Sequence, residues 1–246
     1  MSPELRQDLV NFFKEEFAEK IKEKLMTGHD LDSFKINPLV LTALSSGVFG
    51  EQTPLNMARA LLYPRVFGTS ISTTFGDRMQ VMCVRYLGAQ ASSTPGMDIE
   101  FNDKVEPRSI IMQLKAGPNT INSEDVVPIV TKMNNAYRLL QRNGTQSMPT
   151  FTMGITYGDI SEISGHYRKI ASSTVGVQAN IPILIGQDFW NRLTGNSTFY
   201  AEMIALFVEL FEEEDYSELL EADLNRLATE IERKYFTDGK FDSTKV

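Results

Sequence analysis

Three short segments in the middle of the chain follow strand patterns, and one long helical pattern separates the second from the third. The strand patterns lie at residues 97–101, 109–114 and 151–157, and the helical pattern follows Asn122 and Ser123. The polar residues 102–108 between the first two strands predict a hairpin-like connection. This mixture of strands and helix restricts the fold to the α/β or α+β classes.

Helical periodicity dominates both ends of the chain. Ser2 and Pro3 predict an N-cap and a first helical residue. This first helix is predicted to end at Gly28. Further helices are predicted in short pieces over 27–75, at 77–87, at 188–193 and, as one or two helices, over 199–235. A short apolar strand is predicted at 181–185. We therefore predict one domain over residues 1–246, with a mainly helical part at 1–75, a core at 76–195 and C-terminal helices at 196–246.

The charge of the chain is unevenly distributed. The net charge of −8 argues against a partner held by bulk electrostatics, such as nucleic acid or an anionic membrane. Nine acidic residues crowd residues 202–223, however, and the middle of the chain carries less of this excess. A local neutral or basic groove is compatible with that distribution. We expect the acidic run at 209–223 to be a solvated face.

Cysteine, histidine and apolar content exclude several classes of protein. Cys83 is the one cysteine, so no intrachain disulfide can form, and only His29 and His166 are present, far apart in sequence. A zinc site of the usual ligands is therefore disfavoured, and we expect both histidines in surface loops. The longest apolar stretches are too short to span a membrane, and the acidic N-terminus does not suit a signal peptide. We expect a cytoplasmic protein without a membrane partner.

One group of polar side chains stands out on the predicted hairpin. Asp98 lies on the first strand, and Gln113 and Lys115 lie two residues apart on the second. Residues i and i+2 of a strand project from the same face, so pairing brings a carboxylate, an amide oxygen and an ammonium group together. A hard cation such as Mg²⁺ takes oxygen ligands, and a nearby lysine stabilises developing negative charge. The bare spacing is common, and its place on an apolar strand beside an acid makes it informative.

These residues resemble a known family of nucleases. Asp98 followed by Gln113-Leu114-Lys115 is similar to the PD-(D/E)xK nuclease superfamily, with Gln in place of the usual second acid. Residues 115–122 and 185–195 resemble segments of type II restriction endonucleases. Two further segments, 25–30 and 64–68, resemble members that cut interrupted GG…CC-type palindromes.

The resemblance, which spans residues 25–195, implies a fold and an activity. The fold is α/β: a restriction-endonuclease-like mixed β-sheet flanked by helices, with helical N- and C-terminal additions. The activity is Mg²⁺-dependent hydrolysis of one phosphodiester in each strand of double-stranded DNA, usually by a homodimer, without an organic cofactor. It also implies a prokaryotic, intracellular protein.

The resemblance also assigns roles to individual residues. Asp98 becomes the metal-bridging carboxylate, Gln113 a metal ligand through its amide oxygen, and the Leu114 carbonyl a further ligand. Lys115 orients or activates the attacking water. Gln113 removes one negative charge from the site, and Glu100, two residues from Asp98, is placed to restore it. Family members often add an upstream residue from a helix, for which the candidates are Gln80, Asp77 and Glu51.

Other polar residues are candidates for DNA contacts, each with a plainer alternative. Asn119, Thr120 and Asn122 suit contacts to DNA, whereas capping of the following helix is the better explanation of Asn122. Asn134 and Arg138 are residue types that read bases, but a solvated helix face also accounts for them. Arg168 and Lys169, beside His166 and Tyr157, are further candidates for DNA contacts.

Two rival functions differ from a restriction enzyme. One is a repair or structure-selective nuclease of the same fold. The other is a non-catalytic DNA-binding or assembly protein that retains a nuclease-like core. Discrete fragments from a long DNA favour restriction, structure-dependent nicking favours repair, and binding without Mg²⁺-dependent cleavage favours the third.

Overall fold

The computed structural model describes residues 1–26 and 28–245, and for residues 69–74 it describes the backbone alone. Thr27, within the segment 25–30, lies outside the described residues. The chain divides into two compact units. The first unit is Met1–Phe12 with Phe75–Glu209, and the second unit is Phe13–Thr74 with Leu210–Val246. The prediction of one domain over residues 1–246 stays a prediction.

Helices occupy both ends of the chain and connect the strands. In chain order they are α1 (Pro3–Phe13), α2 (Glu19–Met26), α3 (Pro38–Thr42), α4 (Pro54–Tyr63), α5 (Ser72–Tyr86), α6 (Ser123–Arg142), α7 (Gly165–Ala171), α8 (Gly186–Thr194), α9 (Phe199–Glu212) and α10 (Ser217–Tyr235). Turns of π-helix occupy Lys14–Ala18, Ala43–Val48 and Pro64–Ile71, and single 3₁₀ turns lie at Leu31–Ser33, Ile160–Glu162 and Ser243–Lys245. The predicted short helices of 27–75 are confirmed, and the 199–235 pattern forms two helices.

The strands of the first unit form one mixed sheet. They are β1 (Gln90–Ala91), β2 (Ile99–Asn102), β3 (Ser109–Lys115), β4 (Thr150–Ile155) and β5 (Ile183–Ile185), in the spatial order β1-β2-β3-β4-β5. The pairs β1–β2 and β2–β3 are antiparallel, whereas β3–β4 and β4–β5 are parallel. The predicted α/β fold with a mixed sheet flanked by helices is confirmed. Strand β1 was not predicted, because two exposed residues carry no periodicity.

Helix α6 and the sheet build the core beneath the predicted site. Strand β3 alternates between two faces, and Ile111 packs with Met133 of α6 and Phe151 of β4 in one buried cluster. Gln113 and Lys115 follow Ile111 at the same spacing of two and project from the same face. The core therefore ends where the polar residues of β3 begin.

The β2–β3 loop and α8 are joined by a network of ion pairs. Asp103, whose side chain is fully buried, accepts hydrogen bonds from Arg108 Nε at 3.0 Å and Arg192 Nη1 at 2.8 Å. Arg192 Nη2 also lies 2.9 Å from Glu106 Oε1, and the Lys104 amide donates to the Arg192 carbonyl at 2.8 Å. The segment 185–195 therefore anchors the hairpin loop in this structure.

The second unit packs α10 against α4 and α2 around a separate apolar core. Two expectations were wrong here. Asp223 is not on a solvated face, because its side chain is 1% exposed, and His29 is not a surface-loop residue, because its ring is 12% exposed and its Nδ1 lies 2.7 Å from Asp223 Oδ2. Arg226 Nη2 also donates to Asp223 Oδ1 at 2.8 Å. A C-terminal hairpin of β6 (Phe236–Thr237) and β7 (Lys240–Phe241) was not predicted.

Among residues 1–26 and 28–245, no helix is both long and apolar enough to cross a bilayer.

Candidate active site

Asp98 lies immediately before β2 and is held against β3 through both its backbone and its side chain. Its amide donates to the Met112 carbonyl at 2.9 Å, and its Oδ2 accepts from the Leu114 amide at 2.7 Å. Ile99 pairs with Met112, so the antiparallel register places Asp98 opposite Gln113. The structure thus brings Asp98 together with Gln113, and Lys115 follows on the same face of β3.

The Gln113 side chain has a buried oxygen without a partner. The residue is 7% exposed, and its Oε1 accepts no hydrogen bond from any described residue. A buried amide oxygen that lacks a donor costs about 1–3 kcal/mol, so it normally has a ligand or a water. An unpartnered oxygen opposite a carboxylate has the chemistry of a ligand for a hard cation.

The surroundings of Asp98 act on its pKa in opposite directions. Burial of the carboxyl group raises the pKa above its ordinary value. The Leu114 amide and the positive charges of Lys115 and Lys132 act against that rise but do not cancel it. A bound cation favours the ionised carboxylate and so lowers its pKa, which means that metal binding and protonation compete at Asp98.

The three candidates for the upstream residue from a helix differ in their contacts with Asp98. Gln80 of α5 donates from Nε2 to the Asp98 carbonyl at 3.1 Å, which places its amide group beside the site. Asp77 is exposed one turn earlier on α5, and Glu51 is an exposed residue of the second unit. Gln80 is the one of the three whose contact with Asp98 the structure shows, and its role as a ligand stays a proposal.

Glu100 binds a neighbouring turn. Its Oε1 accepts hydrogen bonds from Ser92 Oγ at 2.5 Å and Thr94 Oγ1 at 3.3 Å. Glu100 pairs with Ile111 across the β2–β3 ladder, so it shares the sheet face of Gln113. Restoration of the charge missing at Gln113 stays a prediction for this carboxylate.

Sequence reasoning missed a second lysine near the carboxylate. Lys132 of α6 acts electrostatically on Asp98, and its side-chain stem lies over Gly96. Gly96 has φ +83°, and a Cβ there would lie 3.1–3.2 Å from three carbons of Lys132. Glycine therefore permits both the left-handed turn and the close approach of the lysine. The available signal was the stretch 126–142, which carries basic residues and no acid.

The predicted DNA-contacting residues of the β3–α6 loop have different surroundings. Asn122 caps α6, accepting hydrogen bonds from the amides of Glu124 and Asp125 in a capping box. Thr120 donates to the Gly117 carbonyl at 2.9 Å and lies 3.0 Å from the Tyr167 hydroxyl. Asn119 is exposed. Thr120 and Asn122 are exposed as well, but their side chains are engaged in these hydrogen bonds. The contact of Asn119 with DNA stays a proposal.

The remaining predicted contacts lie on α6 and α7. Asn134 donates to the carbonyls of Val130 and Thr174 and accepts from the Gly176 amide, so its side chain holds a turn within the chain. Arg138, Arg168 and Lys169 are exposed. A structural role accounts for Asn134, whereas the three basic side chains are accessible to a polyanion.

The donor set fits one hard cation with few protein ligands. The described residues contain no group of three His, Cys, Asp or Glu that could hold a metal ion. The site instead offers the Asp98 carboxylate, the Gln113 amide oxygen and the carbonyl of Leu114, whose amide already faces Asp98. Mg²⁺ characteristically binds one or two carboxylates and completes its shell with water and phosphate oxygens. The residues present therefore fit Mg²⁺ and offer nothing typical of a soft metal.

Comparison with known proteins identifies one family. The type II restriction endonuclease EcoO109I family matches residues 52–215. That range contains the whole β2–β3 site and the sheet around it. A search of curated proteins finds no match.

Proposed function

Since the chain belongs to the type II restriction endonuclease EcoO109I family, we propose that it cleaves double-stranded DNA at specific sites with Mg²⁺ as its cofactor. The proposal includes cleavage of both strands by a homodimer without an organic cofactor, in the cytoplasm of a prokaryotic cell. The observation that supports it best is the buried, unpartnered Oε1 of Gln113 opposite the Asp98 carboxylate. A carboxylate, an amide oxygen and a lysine then share one face of the sheet.

Each residue of the site has a separate task in this reaction. Asp98 and Gln113 hold the metal through oxygen atoms, and the Leu114 carbonyl adds a neutral donor. Mg²⁺ bound there supplies a Lewis acid that polarises the phosphate and lowers the pKa of water. Lys115 orients the attacking water and stabilises the negative charge that develops on the phosphate as the phosphodiester bond breaks. Gln80 positions Asp98 through its hydrogen bond to the carbonyl.

The proposed recognition site is an interrupted palindrome of the GG…CC type. Two subunits related by a two-fold axis present the same side chains to two half-sites, so the symmetry of the DNA mirrors that of the protein. Segments 25–30 and 64–68, which resemble enzymes of this specificity, support the proposal. Thr27 of the first segment lies outside the described residues.

Digestion of a long DNA of known sequence tests the proposal. Purified protein with Mg²⁺ is expected to produce discrete fragments whose mapped ends share one interrupted GG…CC-type sequence, and EDTA is expected to stop the reaction. Nicking that depends on DNA structure and not on sequence would instead identify a repair-type nuclease. DNA binding with no cleavage on any substrate would identify a non-catalytic protein.

A further inference from the structure

We propose that the exposed face of α6 binds the phosphate backbone of the substrate DNA and extends the DNA-binding surface from the active site along the helix. We define this α6 basic face by its exposed residues Lys132, Asn135, Arg138 and Arg142. The proposal rests on the proposed function, because it names where that enzyme holds its substrate beyond the cleaved bond. It assigns a role to Lys132 and Arg142, which the sequence analysis did not single out.

The spacing of these residues places them on one side of the helix. At 3.6 residues per turn, positions 132, 135, 138 and 142 fall within an arc of about 120°. The opposite arc carries Ile129, Met133 and Ala136, which are buried against the sheet. The core therefore fixes the orientation of α6 and directs the basic face outward.

The basic residues of this face are not engaged in ion pairs. Lys132, Arg138 and Arg142 form no ion pair with any residue in the described part of the chain, and residues 126–142 include no Asp or Glu. In a chain of net charge −8, this face of α6 thus carries three exposed cations, of which Lys132 also acts on the Asp98 carboxylate. Elsewhere in the first unit, Arg6 and Arg192 are both paired with carboxylates.

A surface groove lies along this face and reaches Pro95, three residues before Asp98. The groove has a volume of about 370 Å³ and is lined by Pro95, Asn135, Ala136, Arg138, Leu139 and Arg142. Pro95 precedes Gly96, over which the Lys132 stem packs, and Lys132 acts electrostatically on Asp98. The cations thus lie on one side of α6, and Lys132 is the one whose charge acts on Asp98.

The length of the row matches a DNA backbone. Ten residues of α-helix rise about 15 Å, which corresponds to roughly four steps of about 3.4 Å between phosphates along the duplex axis. A basic row of this length neutralises phosphates without reading their sequence. It also explains how a chain of net charge −8 binds a polyanion, because only the surface that faces the DNA needs to be positive.

The experiment measures how binding of a short fluorescent duplex of arbitrary sequence depends on NaCl concentration, in EDTA so that no cleavage occurs. Each lost phosphate contact lowers the slope of log K against log salt by about 0.9. We expect the double variant Arg138→Gln/Arg142→Gln to lower the slope by about 1.8 and Lys132→Gln by about 0.9. The control, Lys35→Gln/Arg233→Gln, removes two exposed charges of the second unit and is expected to retain the wild-type slope.

Circular dichroism and thermal unfolding verify that each variant is folded, which these exposed positions favour. A wild-type slope in Arg138→Gln/Arg142→Gln, or an equal reduction in the control, would overturn the proposal. Cleavage by the wild-type protein with Mg²⁺ is measured separately. Cleavage by the wild type with an unchanged slope in the α6 variants would refute the proposed DNA-binding face and support the proposed nuclease. A reduced slope without any cleavage would refute the nuclease and support the DNA-binding face.

Discussion

The environment of the Gln113 side-chain oxygen distinguishes a role in stability from a role as a metal ligand. Within the described chain it lacks a hydrogen-bond donor, although Gln113 is 7% exposed. A side chain kept for stability would have its polar atoms satisfied, because an unsatisfied one lowers the free energy of unfolding. The oxygen therefore has a cost in the metal-free protein that cation binding would offset.

Replacement of Gln113 by Leu tests that reasoning. We expect Gln113→Leu to unfold at or above the wild-type temperature without metal, because the change removes an unsatisfied group of similar volume. Addition of Mg²⁺ is expected to raise the melting temperature of the wild type but not of the variant, since a ligand stabilises only the state that binds it. Thermal unfolding with and without Mg²⁺ measures both effects. An unchanged Mg²⁺ response in the variant would contradict the ligand role.

The proposed role of Lys115 in the chemical step predicts the effect of removing its charge. We expect Lys115→Ala to lower the cleavage rate by at least about 100-fold, because it removes a charge that stabilises the transition state. DNA binding is expected to persist, since Lys115 contributes at most one phosphate contact. Cleavage and binding assays on the same DNA check both results, with Lys35→Ala as a matched control. Wild-type cutting by purified Lys115→Ala would refute the assignment.

At the scale of elements, the N-terminus of α6 combines a cap with a neighbouring candidate for DNA contact. Asn122 accepts two backbone amides, whereas Asn119 lies exposed in the preceding loop. If Asn119 contacts DNA as proposed, the two asparagines, three residues apart, separate stability from binding.

We expect Asn122→Ala to lower the free energy of unfolding by about 1 kcal/mol, because a cap satisfies orphan amides of the first turn. Asn119→Ala is expected to change stability by no more than about 0.5 kcal/mol and to weaken DNA binding. Denaturant unfolding and a binding assay on both variants provide the comparison. Equal stability losses in the two variants would contradict the distinction.

The ion-pair network around Asp103 joins a hairpin loop to α8 and makes stability depend on pH. Burial alone would raise the pKa of Asp103, but hydrogen bonds from the Val105 amide, Arg192, Arg108 and the Glu106 amide lower it below its ordinary value. A carboxylate whose pKa is lower in the folded state stabilises the protein above the unfolded pKa. That contribution disappears as pH falls through the folded value.

We expect Asp103→Asn to lower the free energy of unfolding by about 2–3 kcal/mol at neutral pH, because it leaves partly buried arginines without their carboxylate. The difference from wild type is expected to shrink as the pH falls below about 4, where the Asp103 carboxyl of the unfolded wild type takes up a proton before that of the folded protein. Unfolding by urea at several pH values measures it. An exposed control, Asp8→Asn, should show neither effect, and a constant difference at all pH values would contradict the explanation.

For the whole molecule, the distribution of charge matters more than its sum. The acidic excess gathers in residues 202–223, whereas residues 126–142 carry three positive charges and no negative one. Opposite signs are therefore concentrated in separate helices of the chain. A net charge of −8 does not contradict DNA binding under this arrangement.

Cleavage of a palindrome by identical subunits makes a prediction about assembly. We expect the protein to sediment as a dimer at the concentrations at which it cuts both strands, because each subunit supplies one site for one strand. Analytical ultracentrifugation and the ratio of nicked to linear plasmid test this. A monomer that produces linear product without a nicked intermediate would contradict the prediction.

Local periodicity was enough to predict much of the site. Strands repeat every two residues, so the spacing of Gln113 and Lys115 placed them on one face, and the polar stretch 102–108 predicted the hairpin with Asp98 opposite. The helical pattern after Asn122 predicted α6 and its cap for the same reason. These inferences depend on neighbours in sequence, which the sequence contains directly.

Contacts between distant segments were decided only by the tertiary structure. The approach of Lys132 to Gly96, the hydrogen bond from Gln80 to Asp98, and the pairing of His29 with Asp223 join residues 18 to 194 positions apart. No local periodicity encodes such pairs, because packing of whole helices determines which polar groups meet. The same packing explains why Asp223, one member of an acidic run, is buried while other members of the run are exposed.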